Sequence, residues 1–97
     1  MLQHLVVLKL DDQVNTAGIR AIVDALNGLV PQLAGLRSYS IGTDVGLVEG
    51  NGTIGISAVF DDVDAWRAYQ SNAEHQRIIA DMIRPVLASR LAVQVDV

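Results

Sequence analysis

The chain has 97 residues, 51% of them hydrophobic and 19% charged, with a formal net charge of −4 and no cysteine. That length fits one domain with a single small core, and the apolar share excludes a disordered chain. Net negative charge and only one Trp, two Tyr and one Phe exclude a basic phosphate-binding face and a base-stacking platform, while the missing thiols exclude disulfides, thiolate metal sites and a cysteine nucleophile.

Leu2 to Leu10 reads as a strand. Leu2, His4, Val6, Leu8 and Leu10 fall on one face, with Leu5, Val7 and Lys9 on the other. Both faces are apolar at the centre, so the strand is expected to be covered on both sides. The segment lacks a basic n-region and a small-residue cleavage site and does not read as a signal peptide. No apolar run approaches the ~20 residues of a membrane span, so no membrane partner and a cytoplasmic location are expected. Asp11, Asp12 and Asn15 supply turn and cap chemistry. A helix follows, with Ile19, Ile22, Val23, Leu26, Leu29 and Val30 on one stripe, ending near Asn27-Gly28 or at Pro31.

Leu36 to Asp44 is a second strand. Asp44 to Gly52 is a loop, marked by Gly46, Gly50 and the Asn51-Gly52 turn signal. Thr53 to Phe60 is a third strand, with Ile54, Ile56, Ala58 and Phe60 facing one way. Asp61-Asp62 opens a short helix containing Val63, Trp66, Tyr69 and Gln70. Asn72 caps a longer helix predicted from about Ala73 to Ser89, with Pro85 bending it or weakening its last turn. Leu91, Val93, Val95 and Val97 then alternate with Ala92, Gln94 and Asp96 in a final strand.

This order is β-α-β-β-α-β, the split arrangement of ferredoxin-like α+β folds with a four-stranded antiparallel sheet, here spanning residues 1–97. Two helices can cover only one face of such a sheet. Leu5, Val7 and Val59 nevertheless make the opposite face apolar as well. A second copy, sheet against sheet, buries that face most simply, so a homodimer is expected.

His75 breaks an otherwise apolar stripe. Ile78, Ile79, Met82, Ile83, Val86 and Leu87 follow it at helical spacing, so the imidazole points inward. Tyr69, six residues earlier, is a second inward-leaning polar group, and His4 shares its strand face with Val6 and Leu8. An imidazole poised near neutrality can serve as general base or acid, and a phenol can donate to a developing enolate. Equally, His75 could be a structural ring satisfied by a backbone carbonyl or by Tyr69, and Tyr69 a core ring with its hydroxyl at the rim. Trp66 and Phe60 are walls, either of a pocket for a flat hydrophobic ligand or of a dry core. Asp61, Asp62 and Asp64 sit at a helix start, where capping and the dipole explain them better than a metal does. His4 and His75 have no partner at ligand spacing, so no metal and no cofactor are expected. Gly50-Asn51-Gly52-Thr53-Ile54-Gly55 matches G-x-G-x-x-G in letters alone, because a loop precedes it and a β-rich run follows. The Asn51-Gly52-Thr53 sequon carries no meaning without export.

Three segments together resemble a known family. They are His4-Leu5-Val6-Val7-Leu8-Lys9-Leu10, the run from Phe60-Asp61-Asp62-Val63 through Trp66, Tyr69 and Gln70 to His75, and Val95-Asp96-Val97. They resemble the stress-responsive A/B barrel (Dabb) family of small dimeric α+β barrels, over nearly the whole chain. The most specific part is the Tyr-x5-His spacing after a strand-ending Phe and a short acidic helix. The family includes plant stress proteins and a plant polyketide cyclase that closes its ring with a Tyr and a His as acid/base partners. The resemblance implies those roles for Tyr69 and His75, with His4 lining the same cavity. It departs from the family in two places: Asn72-Ala73 stands where members often have His-Pro, and Ile54 stands on the third strand where the cyclase has a pocket His.

Three functional expectations remain. One is a homodimer binding a small hydrophobic, phenolic or polyketide-like ligand between sheet and helices. In that case His75 and Tyr69 do cofactor-free cyclase-like chemistry, and His4, Ile54, Trp66 and Phe60 line the pocket. Another is a non-catalytic stress-response or assembly protein whose dimer is the functional unit. The third is cofactor-independent monooxygenase-like activity.

Overall fold

The computed structural model describes every residue from Met1 to Val97. Strands β1 (Leu2–Leu10), β2 (Leu36–Thr43), β3 (Ile54–Phe60) and β4 (Leu87–Asp96) form one antiparallel sheet in the order β2-β3-β1-β4. Helices α1 (Thr16–Asn27), α2 (Val63–Ser71) and α3 (Ala73–Ile78) connect them. The fold is ferredoxin-like α+β. No helix is long and apolar enough to cross a membrane.

Alternation dictates which face of the sheet the helices cover. On the central strand β1, His4, Val6, Leu8 and Leu10 are buried, and on β3 so are Ile54, Ile56, Ala58 and Phe60. Ile22, Val23 and Leu26 of α1 meet this face, together with Leu29 just beyond the helix and Ile78 of α3. Each helix start has a side-chain cap. Asn15 accepts from the Gly18 N–H, Asp62 from Ala65 and Asn72 from His75, at 2.8, 2.9 and 2.9 Å. Asp62 therefore has the capping role that its place at a helix start implied.

The last helix differs from its expected form. A single helix from Ala73 to Ser89 does not exist: α3 ends at Ile78, Ile79–Ile83 forms a π turn, and Arg84–Val86 a 3-10 turn. Pro85 supplies the physical reason. It has no N–H to give and its ring presses on the carbonyl four residues back. The chain widens ahead of it, with the Arg84 N–H reaching the Ile79 carbonyl, and tightens after it. Leu87 therefore opens β4, four residues earlier than the expected start at Leu91, and Asp96 ends it. The α1 stripe likewise runs past its helix, because Pro31 turns Val30–Gln32 into a separate 3-10 turn.

The other face of the sheet is open in the protomer. Leu5 pairs with Val93 and Val7 with Leu91, so apolar side chains stand side by side there. Val7, Leu91 and Val93 are 46%, 76% and 51% exposed. The expectation that β1 is covered on both sides therefore does not hold within one chain.

Gly35 sets where α2 sits. It has φ +79°, and its carbonyl accepts from the Asp61 N–H at 2.8 Å just before α2 begins. A Cβ there would lie 2.7 Å from the Ala65 Cβ. Gly35→Ala combines a left-handed backbone with this clash and is expected to cost about 2 kcal/mol. Urea unfolding checks it, and a loss below about 0.5 kcal/mol would mean that α2 is not held at this point.

Candidate functional site

Between the helix layer and the β1–β4 side of the sheet lies a cavity of about 370 Å³. Its depth is apolar, lined by Val6, Leu8, Ile56 and Ile83. His4, Tyr69, His75 and Arg90 line it as well. The π turn contributes Ile79 and Ile83, so the irregular end of the last helix forms part of the wall.

The aromatic groups are packed ring on ring. Tyr69 stacks on His75 with centroids 4.1 Å apart and planes 28° from parallel. It meets His4 edge-on at 5.9 Å and Phe60 at 5.3 Å. Asn72 controls the approach of His75, because it closes α2 and caps α3 through the His75 backbone N–H. An Asn does here what a proline at the first helical turn does by fixing φ.

His4 has a defined tautomer. Trp66 Nε1, which can only donate, lies 3.3 Å from His4 Nδ1, and Gln94 Nε2 lies 2.9 Å from the same nitrogen. Nδ1 is thus an acceptor, and the ring proton belongs on Nε2. The ring is 2% exposed. Burial first, then the charges of Arg90 and His75, pull its pKa from 6.5 to about 4. At neutral pH His4 is an uncharged N–H donor beside the cavity.

His75 is also held neutral. Burial lowers its pKa, the Tyr69 backbone partly offsets this, and Arg90 lowers it further. Its Nδ1 is buried with no hydrogen bond of sound geometry. Burial raises the Tyr69 pKa, while Tyr39 and Arg90 act in the opposite direction. Tyr39 lies close enough to feel this phenol, and its own pKa is raised by burial and then by Tyr69. The Tyr39 hydroxyl is nonetheless buried without a properly aligned hydrogen bond. The site thus offers a neutral imidazole able to accept a proton, a phenol that stays protonated, and a second imidazole fixed as a donor.

The residues singled out in the sequence are partly brought together. His4, Tyr69 and His75 share the cavity. Trp66 stands behind His4 as its hydrogen-bond donor, and Phe60, fully buried, backs Tyr69. Ile54 lies in the main core, outside the cavity lining, whereas Ile56 two residues on is part of it. Arg90, Gln94 and Tyr39 were not foreseen. Arg90 and Gln94 share the alternation that put Ala92 on the inner face, paired across from Leu8 and His4, and that was the available signal. His4, His75 and the acidic residues do not gather into a group of three that could hold a metal.

The depressed imidazole pKa values set a pH dependence. An unfolded His titrates near 6.5 and the folded His4 at about 4, so the unfolded chain binds more protons in between. Stability present at pH 7 is therefore lost as the pH falls through that window. The full displacement corresponds to about 3 kcal/mol, which screening by solvent at a partly open site discounts to the order of 2 kcal/mol. His75 adds to the loss in the same direction. Thermal melts from pH 7.5 to 4.5 are expected to show the decline, with a shallower one in His4→Gln. Equal acid sensitivity in the variant would contradict a buried neutral ring at this position.

Comparison with known proteins agrees with this architecture. The Stress responsive A/B Barrel Domain profile matches residues 2–97. A dimeric ferredoxin-like protein of unknown function from Thermobifida fusca has 32% identity and a TM-score of 0.90, over 99% of this chain and 90% of that one. Another dimeric ferredoxin-like protein of unknown function, from Jannaschia sp., has 26% identity and a TM-score of 0.82, over 99% and 98%. A hydroxynitrile lyase from Passiflora edulis shares the fold at 14% identity and a TM-score of 0.83, over 99% and 92%. No curated protein matches the chain. With its β-α-β-β-α-β order, its Tyr-x5-His pair and a profile match over nearly its whole length, the chain belongs to the stress-responsive A/B barrel (Dabb) domain family.

Proposed function

We propose that the chain acts as a homodimer in which each protomer binds a small phenolic or polyketide-like ligand in the cavity and transforms it without a cofactor. The observation that carries this reading is the stacking of Tyr69 on His75 at 4.1 Å, against His4, in an apolar cavity of about 370 Å³. That volume falls in the range of small-molecule sites. In this reading neutral His75 takes a proton from the carbon next to a ligand carbonyl. The Tyr69 hydroxyl and the His4 Nε2–H donate to the oxygen as it becomes an enolate. The enolate carbon can then attack a second carbonyl of the same molecule, closing a ring, and His75 returns its proton to the new alkoxide. Burial supports each role, since it keeps His75 unprotonated and Tyr69 protonated at neutral pH. The hydroxynitrile lyase of the same fold is an enzyme by name, which favours the catalytic reading over a purely structural one.

The test uses Tyr69→Phe and His75→Gln in a turnover assay on linear β-polyketone thioester mimics. Tyr69→Phe keeps the stacked ring and removes only the hydroxyl, and its rate is expected to fall by about 100-fold or more with little loss of stability. Wild-type turnover that survives both substitutions would place the chemistry elsewhere. Absence of any turnover, together with a large loss of stability in His75→Gln, would favour a structural histidine.

The dimer follows from the open sheet face. Leu5, Val7, Val59, Leu91, Val93 and Val95 form an apolar surface on β3, β1 and β4, and aligned or crossed sheet packing would bury it. The dimeric description of the 32%-identical Thermobifida protein supports this arrangement. Val93→Asp is expected to yield monomers in sedimentation velocity at micromolar concentration, because an unpaired buried charge costs several kcal/mol. An unchanged dimer would move the interface off this face.

A further inference from the structure

Arginine is distributed unevenly around this molecule. Arg37, Arg67 and Arg77 each have a carboxylate partner, on Asp61, Asp64, and Glu74 and Asp81 respectively. Arg20, Arg84 and Arg90 have no ion-pair partner; Arg20 stands on α1 outside this cavity, whereas Arg84 and Arg90 both line the cavity that holds His4, Tyr69 and His75. None of the eleven Asp and Glu residues lines it. A chain of net charge −4 thus has a functional cavity whose only formal charges are positive.

The two arginines arrive from different elements. Arg90 stands on β4 opposite Leu8, on the inner face next to Ala92 and Gln94. Arg84 stands in the 3-10 turn that Pro85 imposes, and Leu87, the first residue of β4, lines the cavity between them in sequence. Surface arginines are ordinarily free to swing into water or pair with a neighbouring acid. Here β4 directs one toward the cavity side of the sheet, and no acid in the lining neutralises it. Arg90 is close enough to act on the titration of His4, Tyr69 and His75 alike.

We propose that the ligand of this cavity is an amphipathic carboxylic acid, bound with its carboxylate on Arg90 beside Arg84 and its apolar body against Val6, Leu8, Ile56 and Ile83. The inference rests on the reading of this cavity as the ligand site and adds the charge of what it takes. A planar guanidinium presents a fork of N–H donors that matches a carboxylate bidentately, and such charge-assisted bonds are the stronger kind. Beyond the arginines the lining is mainly aliphatic and aromatic and its remaining polar groups, the imidazoles of His4 and His75 and the amides of Gln70 and Gln76, carry no further positive charge at neutral pH, which suits an alkyl or aryl acid rather than a polyanion. A carboxylate on Arg90 also offsets the positive charge that opposes protonation of His4 and His75, so the cavity accepts an acid at less electrostatic cost than a cation. An amine ligand would meet two uncompensated positive charges.

The probes are 4-butylbenzoate and its neutral isostere 4-butylbenzamide, titrated calorimetrically into wild type, Arg90→Gln and Arg84→Gln. Wild type is expected to bind the acid at least about tenfold more tightly than the amide. Arg90→Gln is expected to remove that preference while leaving the amide affinity unchanged, and Arg84→Gln to reduce it by a smaller factor. Raising the salt concentration is expected to weaken the acid and not the amide. Melting curves of both variants check that they fold, which exposed arginines permit. Equal binding of acid and amide by wild type would overturn the inference and leave the cavity reading standing. So would an acid preference that survives in Arg90→Gln. Binding of neither probe would overturn both.

Discussion

A histidine buried on the central strand is the constraint around which this site is arranged. The inner face of β1 must be apolar to hold the helices, and His4 occupies one of its four buried positions. An unpaired buried imidazole is costly. Trp66 from α2 and Gln94 from β4 converge on Nδ1, and Tyr69 meets the ring edge. Satisfying one side chain therefore positions a helix, an edge strand and a phenol. The indole is a donor only, so this satisfaction also decides which nitrogen of His4 carries its proton.

Tyr69 passes that order on to His75. Its ring is wedged between Phe60 and the two imidazoles, which leaves it little rotational freedom. Asn72 adds a short joint between α2 and α3, at once closing one helix and capping the next. His75 thus rides at the start of a helix whose other end is disturbed by Pro85. The π and 3-10 turns after Ile78 form part of the cavity wall, through Ile79, Ile83 and Arg84.

Electrostatics complete the picture. Both imidazoles are kept neutral chiefly by burial, and Arg90 reinforces this from the sheet edge. An imidazole whose pKa is lowered and a phenol whose pKa is raised are two groups pushed apart by one environment. Tyr39, half-buried but with its hydroxyl buried and unpartnered near Tyr69, belongs to the same polar cluster. Nothing in its strand context set it apart from an ordinary half-buried tyrosine.

The sequence by itself determined the element order, the faces of β1 and β3, the caps at Asn15, Asp62 and Asn72, and the inward aim of His4, Tyr69 and His75. Each of these is local: alternation of period two, a helical stripe, or a side chain bonding three residues ahead. The family resemblance rested on the same short-range spacing, above all Tyr-x5-His. Tertiary structure decided the rest. The break of the last helix depends on how Pro85 is accommodated between Ile83 and the start of β4, which periodicity does not register, because the buried stripe continues through the break. The joining of Trp66 and Gln94 on one nitrogen of His4 spans 62 and 90 residues, and no local pattern encodes it. Arg90 reads in sequence as an ordinary surface cation. The alternation of Ala92 and Gln94 reaches back to it, but the expected strand began at Leu91, and the pairing of β4 with β1 from Leu87 is what places Arg90 on the inner face opposite Leu8.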